Sequence, residues 1–278
     1  MSYQATLRGL TIGDGTDFEW ETAPEGLGLP QFETSRVQRV AVDGRRPMGP
    51  DLLGSRMVTF NVEIWAGPGG TVLVESLMDE LKQAWAPVRS GTIPLTFDLE
   101  GGERLLVGRP AACDIDLSAL IYAKSHGRAR LVFEATDPRL YAETLSSVVL
   151  GLTVGGGMVF PLTFPLTFGA GSDSDGVAVN EGNTDAPWTA TIVGPVTTPR
   201  ITLGATGEFL ELDGVVPSGS TLVVDSATQS ILLDGSPRQS WQTLLSRWWS
   251  LAPGSNTVRY RASSGTGSCT FSWRSAWL

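Results

Sequence analysis

The stretch "LVFEATDPRLYAE", Leu131 to Glu143, begins as a strand and then breaks its own pattern. Leu131, Phe133 and Ala135 alternate with Val132, Glu134 and Thr136, the period of two expected of a strand. Asp137-Pro138 follows at once, and Tyr141 comes just after it. Proline lacks the N–H that a ladder needs and biases the preceding residue away from helix. So sharp a stop near the middle of 278 residues needs a reason that periodicity alone does not supply.

Length bears on this, because a prior of about 150 residues per domain gives two compact units. With 33 Gly and 17 Pro and 41% hydrophobic residues, the composition is that of a folded, turn-rich β protein. The expected boundaries are an N-terminal domain over 1–150, a linker and entry strand over 151–176, and a C-terminal β domain over 177–278.

Within the first part, "VTFNVEIWAG" places Val58, Phe60, Val62 and Ile64 on one face. Before it, "VDGRRPMGPDLLGSR", Val42 to Arg56, carries Gly, Pro and three arginines and reads as an exposed loop or projecting arm. The period then changes over residues 71–85, where Leu73, Val74, Leu77, Met78, Leu81, Ala84 and Trp85 recur at three and four, predicting one amphipathic helix packed on a sheet. Thr71 is its expected N-cap, and Pro87 prevents continuation.

"GLTVGGGMVFPLTFPLTFGAGSDSDG" combines three glycines, a repeated PLTF and a Gly/Ser/Asp run, which is linker chemistry with apolar anchors. After it, strand runs alternate with turns such as Asp213-Gly214, Ser218-Gly219 and Asp234-Gly235. "TLVVDSATQSILLDG" and "TVRYRASSGTGSCTFSW" read as hairpins, and Trp241 to Trp249 as the one interruption, a single helical turn. Sheet-on-sheet packing is the natural solution for such a domain.

The net charge is −9, with 14 basic against 20 acidic residues up to residue 150 and 6 against 9 beyond it. With no basic stripe, a grip on nucleic acid through phosphate contacts is not expected. Only Lys82 and Lys124 among the 20 basic residues are lysine, an arginine bias that fits GC-rich coding. Cys113 and Cys269 fall in different halves and read as reduced, packed thiols. Neither an export signal nor a membrane span is expected, since no run of about 18 apolar residues occurs.

Chemistry-bearing motifs are sparse, and no catalytic residue, metal site or cofactor is expected. His126 is the single histidine and reads as a turn residue in "KSHGRAR" rather than a triad base. One His and two distant Cys do not supply a zinc site. "GSDSDG", Gly171 to Gly176, lacks the later carboxylates of a calcium loop, and Gly155-Gly156-Gly157 lacks the Lys-Ser/Thr pair of a phosphate cradle. Six of nine tryptophans lie in the last third. Core packing accounts for most, but neighbouring Trp248 and Trp249 point opposite ways in a regular element, so one is expected near the surface as a partner or sugar contact.

Three stretches in order, "LVFEATDPRLYAE", "TFPLTFG" and "RWWSLAPGSNTVRYRA", resemble the distal tail proteins of long, flexible-tailed bacteriophages, and the resemblance spans nearly the whole chain. It implies a mainly β fold of two domains, an N-terminal β domain with one packed helix and a projecting arm, and a C-terminal galectin-like β-sandwich. It further implies a non-enzymatic structural protein of the virion, at the phage tail tip, that forms a homohexameric ring. The implied partners are the tail tube protein, the tape measure protein, the tail-tip hub or tail-associated lysin, and receptor-binding proteins. Arg45, Arg46, Met48, Leu52, Leu53 and Arg56 are the expected ring contacts. Two rival readings are a carbohydrate-binding receptor-binding protein using the second sandwich and its tryptophans, and a jelly-roll glycoside hydrolase whose paired carboxylates converge from distant strands.

Overall fold

The computed structural model describes residues 3–39, 42–65, 71–99, 102–116, 126–152 and 175–278. The chain is mainly β and divides into two compact units, residues 1–143 with Leu278, and residues 144–277. The linker glycines, the PLTF repeat and most of "GSDSDG" lie outside the described residues.

The first unit opens with a hairpin, β1 (Gln4–Leu7) and β2 (Leu10–Gly13), closed by Arg8-Gly9. Both turn residues have positive φ (50° and 86°), the geometry whose twist matches a two-residue hairpin. Next come β3 (Phe18–Glu25), four short strands of an excursion, β4 (Phe32–Glu33), β5 (Arg36–Gln38), β6 (Arg45–Pro47) and β7 (Leu52–Leu53), and then β8 (Arg56–Trp65). Helix α1 (Thr71–Ala84) follows, then β9 (Ile93–Leu99), β10 (Gly102–Asp116), β11 (His126–Ala135) and β12 (Leu140–Ala142). The main strand order is β2-β1-β9-β10-β11-β8-β3.

Strand β10 explains how one run of strands makes two walls. Its first half pairs with β9 and its second with β11, with a register break between Pro110 and Ala112 where the strand changes neighbour. The alternation read in β8 is the core, since Val58, Phe60, Val62 and Ile64 are all fully buried. Val74, Met78, Leu81, Ala84 and Trp85 form the buried stripe of α1 against them. The side chain of Thr71, the expected cap, lies outside the described residues. At the other end Arg8 Nη1 donates to the carbonyls of Ala84 (3.2 Å) and Ala86 (2.9 Å), a cation on orphan carbonyls at the negative end of the helix dipole.

The second unit is a β-sandwich. One sheet runs β13 (Ser146–Gly151), β25 (Ser268–Trp273), β15 (Trp188–Val193), β20 (Thr221–Asp225), β21 (Ser230–Leu233) and β22 (Ser236–Pro237). The other runs β14 (Asp175–Asn180), β23 (Gly254–Arg261), β17 (Arg200–Leu203) and β18 (Phe209–Glu211). A small third sheet joins β16 (Val196–Thr197), β19 (Val215–Val216) and β24 (Ser264–Gly265).

Of the two expected hairpins, β20 and β21 form one, paired from Asp225↔Ser230 to Leu222↔Leu233. The other does not exist: β23 pairs with β14 and β17, while β25 pairs with β13 and β15 in the opposite sheet. Tyr260 does lie beside Cys269, but the two come from opposite sheets of the sandwich, where both are fully buried. The helical turn expected over Trp241 to Trp249 is not there: a 3-10 turn spans Gln239–Trp241, ending at its first residue, and the residues up to Trp249 are turn and irregular chain.

Candidate assembly surfaces

The excursion between β3 and β8 is a two-stranded ribbon. Phe32 pairs with Leu53, Glu33 with Leu52, Arg36 with Pro47, Val37 with Arg46 and Gln38 with Arg45. Backbone bonds from Met48 N to Ser35 O (2.9 Å) and from Gly54 N to Gln31 O (2.8 Å) continue the ladder. Every described residue from Gln31 to Leu52 is exposed, including the apolar Phe32, Val37 and Leu52 and Met48 at 63%. An isolated two-stranded ribbon is marginal in water because it has no face to bury. Arg45, Arg46, Met48 and Leu52 lie exposed on this ribbon, with Leu53 half-buried at its base.

Arg56 is the exception among the expected contacts, and the structure corrects its role. It is 1% exposed. Its guanidinium donates from Nε to the Pro138 carbonyl (2.6 Å) and from Nη1 to the carbonyls of Gly26 (3.0 Å) and Gly28 (2.6 Å). Burial holds its pKa below the ordinary arginine value, and no carboxylate ion-pairs with it among the described residues. A side chain spent on three carbonyls of its own chain has no surface to offer a neighbour; it clasps the root of the ribbon.

That clasp ends on the Asp-Pro corner, which is itself closed by side chains. The Arg139 N–H donates to Asp137 Oδ1 (3.1 Å), and the Tyr141 hydroxyl donates to Asp137 Oδ2. Burial first, and the Asp137 charge second, push the Tyr141 hydroxyl well above the usual tyrosine range.

In the second unit three of the six tryptophans, Trp188, Trp249 and Trp273, are core, and Trp241, Trp248 and Trp277 are half-buried. Trp249 is 5% exposed, its ring centroid lying 4.5 Å from Trp188 and 6.0 Å from Phe271. Trp188 Nε1 donates to the Trp249 carbonyl (2.9 Å). Trp248 stays half-exposed, so the two neighbours do divide between core and surface. The following "LAPGSN" turn is held by two buried asparagines: Asn256 Nδ2 donates to the Ala252 carbonyl (2.7 Å), and Asn180 Nδ2 to the Leu251 carbonyl (3.0 Å).

Groups that could carry chemistry are placed otherwise. His126 is not a turn residue; it opens β11 opposite Trp65, its ring 6.4 Å from the indole. Asp175 of "GSDSDG" lies in β14 and pairs with Arg259 (2.8 Å) and Arg261 (3.2 Å). Cys113 and Cys269 are free thiols, and burial pushes Cys269 up to about 12. Among the described residues no group of three or more His, Cys, Asp or Glu could hold a metal ion, and no helix is long and apolar enough to cross a membrane.

The fold therefore defines a class: a mainly β protein of two units, the first carrying one helix and an exposed ribbon, the second a sandwich. Residues 181–277, nearly all of that sandwich, match the family model described as the siphovirus-type tail component, C-terminal domain. Over 99% of both chains the fold is similar to the Dit protein (gp 19.1) of phage SPP1, described as a paradigm of the hub adsorption apparatus in phages infecting Gram-positive bacteria, with a TM-score of 0.67 at 17% identity. A chain of the phage P2 baseplate in its activated conformation with calcium is similar at a TM-score of 0.51 and 11% identity, over 98% of this chain and 97% of that one. No characterised protein matches by sequence. The family model thus covers the sandwich unit alone, and the likeness to the solved structures, at 17% identity or less, is one of fold.

Proposed function

We propose that this chain is the structural hub of a phage tail tip, six copies closing into a ring that joins the tail tube to the baseplate and receptor-binding apparatus. It works by assembly and catalyses no reaction. Its other contacts are the tube, tape measure, tail-tip hub or lysin, and receptor-binding proteins. The observation that carries the reading is the ribbon from Gln31 to Gly54, which exposes Phe32, Val37, Met48 and Leu52 and covers no face of its own unit. A ring needs a head-to-tail contact in which one surface reaches a different surface on the next copy, and a rooted, apolar ribbon supplies the reaching half. Arg45, Arg46, Met48, Leu52 and Leu53 are the proposed contact residues.

Light scattering on the purified chain tests this. Six copies of 29.6 kDa give a particle of about 178 kDa, and Met48→Ser with Leu52→Ser shifts it toward single chains. A wild type that stays monomeric or dimeric at high concentration and in assembled tails refutes the ring.

A further inference from the structure

Leu244 and Leu245 are exposed to a degree that folded proteins rarely leave uncovered, 102% and 78% of their extended-chain surface. The turn that presents them is built, not loose. Thr243 N donates to the Glu211 carbonyl (3.1 Å), Ser246 N to the Thr243 carbonyl (3.1 Å), and Arg247 N to the Phe209 carbonyl (2.9 Å). The Ser246 hydroxyl accepts from Glu211 N (2.8 Å) and donates to the Glu211 carbonyl (2.9 Å), so the segment is stitched to the edge of β18. Two leucines held on such a frame lose little freedom on binding, which is how pre-organisation yields affinity. Exposed Arg247 stands just past them and makes no ion pair among the described residues.

A socket of matching character lies in the first unit. Strand β3 breaks register with β8 twice, between Trp20 and Thr22 and between Thr22 and Glu25, and so leaves an open cleft of about 370 Å³ beside it. Trp20 and Leu27 line it over the buried Phe97, with Asp98 at hand and Glu21 already paired with Arg128 (3.3 Å). The Trp20 ring is stacked on Phe60 at 5.5 Å, and its Nε1 is spent on the Tyr3 carbonyl (2.7 Å), so the indole offers only an apolar surface.

We infer that the Leu244-Leu245 knob of one copy seats on Trp20 and Leu27 in this cleft of a second copy of the chain, with Arg247 meeting the Asp98 carboxylate. Knob and cleft are different patches of one chain, complementary in polarity and charge, which is the heterologous relation that closes rings. Two leucines cover far less than the ~800 Å² per partner of a standard stable interface, so the contact reinforces a larger one and rests on the ring reading above. A membrane is the poorer occupant: a surface helix or loop that inserts into anionic lipid is normally collared by basic residues, whereas here one arginine stands by the leucines on a chain of net charge −9.

The test mixes two full-length chains, one carrying Ala23→Cys in the cleft and one carrying Leu245→Cys, under mild oxidation, and maps disulfides by mass spectrometry. A disulfide joining the two introduced thiols is expected, together with at least a tenfold rise in the concentration at which the Leu244→Ser/Leu245→Ser chain half-dissociates. A particle of about 178 kDa with no such disulfide, or one whose assembly the serine variant leaves unchanged, overturns the knob contact and leaves the ring standing. Chains that never associate overturn both. Flotation of the wild type, but not the serine variant, with phosphatidylglycerol vesicles makes a membrane the occupant and overturns it too.

Discussion

Arg56 Nε donates to the Pro138 carbonyl oxygen at 2.6 Å, so the residue that opens β8 holds the Asp-Pro corner 82 positions further on. The same guanidinium grips Gly26 and Gly28 at the start of the ribbon. One buried cation thus ties the arm's root to the point where the chain prepares to leave the first unit. Arg56→Ala should destabilise that unit by about 3 kcal/mol, since it removes three charge-assisted bonds and leaves the buried Pro138 carbonyl without this donor. Arg56→Lys should recover only part of this, because an ammonium lacks the planar fork. Urea unfolding of the three chains measures the order.

Tyr141 should report on the same corner. Tyr141→Phe deletes the hydroxyl that bonds Asp137 and should cost roughly 1–2 kcal/mol near neutral pH. The alkaline limb gives a second readout. Burial raises the folded pKa of both Tyr141 and Tyr260 above the unfolded value, so the folded state holds these protons more tightly. Their contribution is complete below about pH 10 and falls as the pH rises beyond it. Midpoints of chemical unfolding between neutral and strongly alkaline pH should fall less steeply for Tyr141→Phe than for wild type.

Cys269 obeys the same sign. Its folded pKa of about 12 lies above the ordinary thiol value, so its share of stability is lost as the pH rises from about 8.5 towards 12. Its thiolate is correspondingly scarce in the native protein. Ellman's reagent at pH 8 should leave Cys269 unmodified until denaturant is added, when both thiols react; rapid native labelling of Cys269 by peptide mapping contradicts the packing described.

Trp248 and Trp249 should separate cleanly. Trp249→Ala removes one ring of a buried three-ring cluster with Trp188 and Phe271 and should cost about 3–5 kcal/mol, with a large fall in Tm. Trp248→Ala, at a half-exposed position, should stay within about 1 kcal/mol. Equal losses in a thermal melt would count against this division of core and surface.

Asp175 provides a control for surface electrostatics. Its pairs with Arg259 and Arg261 join β14 to β23 at partly exposed positions, where ion pairs contribute little and are screened. Asp175→Asn should cost less than about 1 kcal/mol, and the difference should vanish in 1 M salt. A loss that persists in salt means the carboxylate does more than pair.

Much of the fold was legible because its signals are local or periodic. Alternation in Val58 to Trp65 identified the core face of β8, the three-four spacing found α1, and Asp137-Pro138 marked the corner. The site was legible only in outline. The excursion before β8 stood out by its glycines, prolines and arginines, but nothing in "LLGSR" distinguishes the exposed Leu52 from the buried Arg56. Nor does "QTLLSRWW" announce that its leucines face water while its second tryptophan packs in the core. Polarity would assign both the other way.

The sequence by itself determined the long strands β8 and β11, the apolar face of β8, where α1 lies and several of the turns, since these depend on neighbours within a few positions. Only the tertiary structure decided which strands pair. β23 and β25 read as one hairpin yet belong to opposite sheets, because alternation specifies a face and leaves the hydrogen-bonding edges open to any strand of suitable register. For the same reason Arg56 became a clasp: its three acceptors come from Gly26, Gly28 and Pro138, brought together by the packing of distant segments.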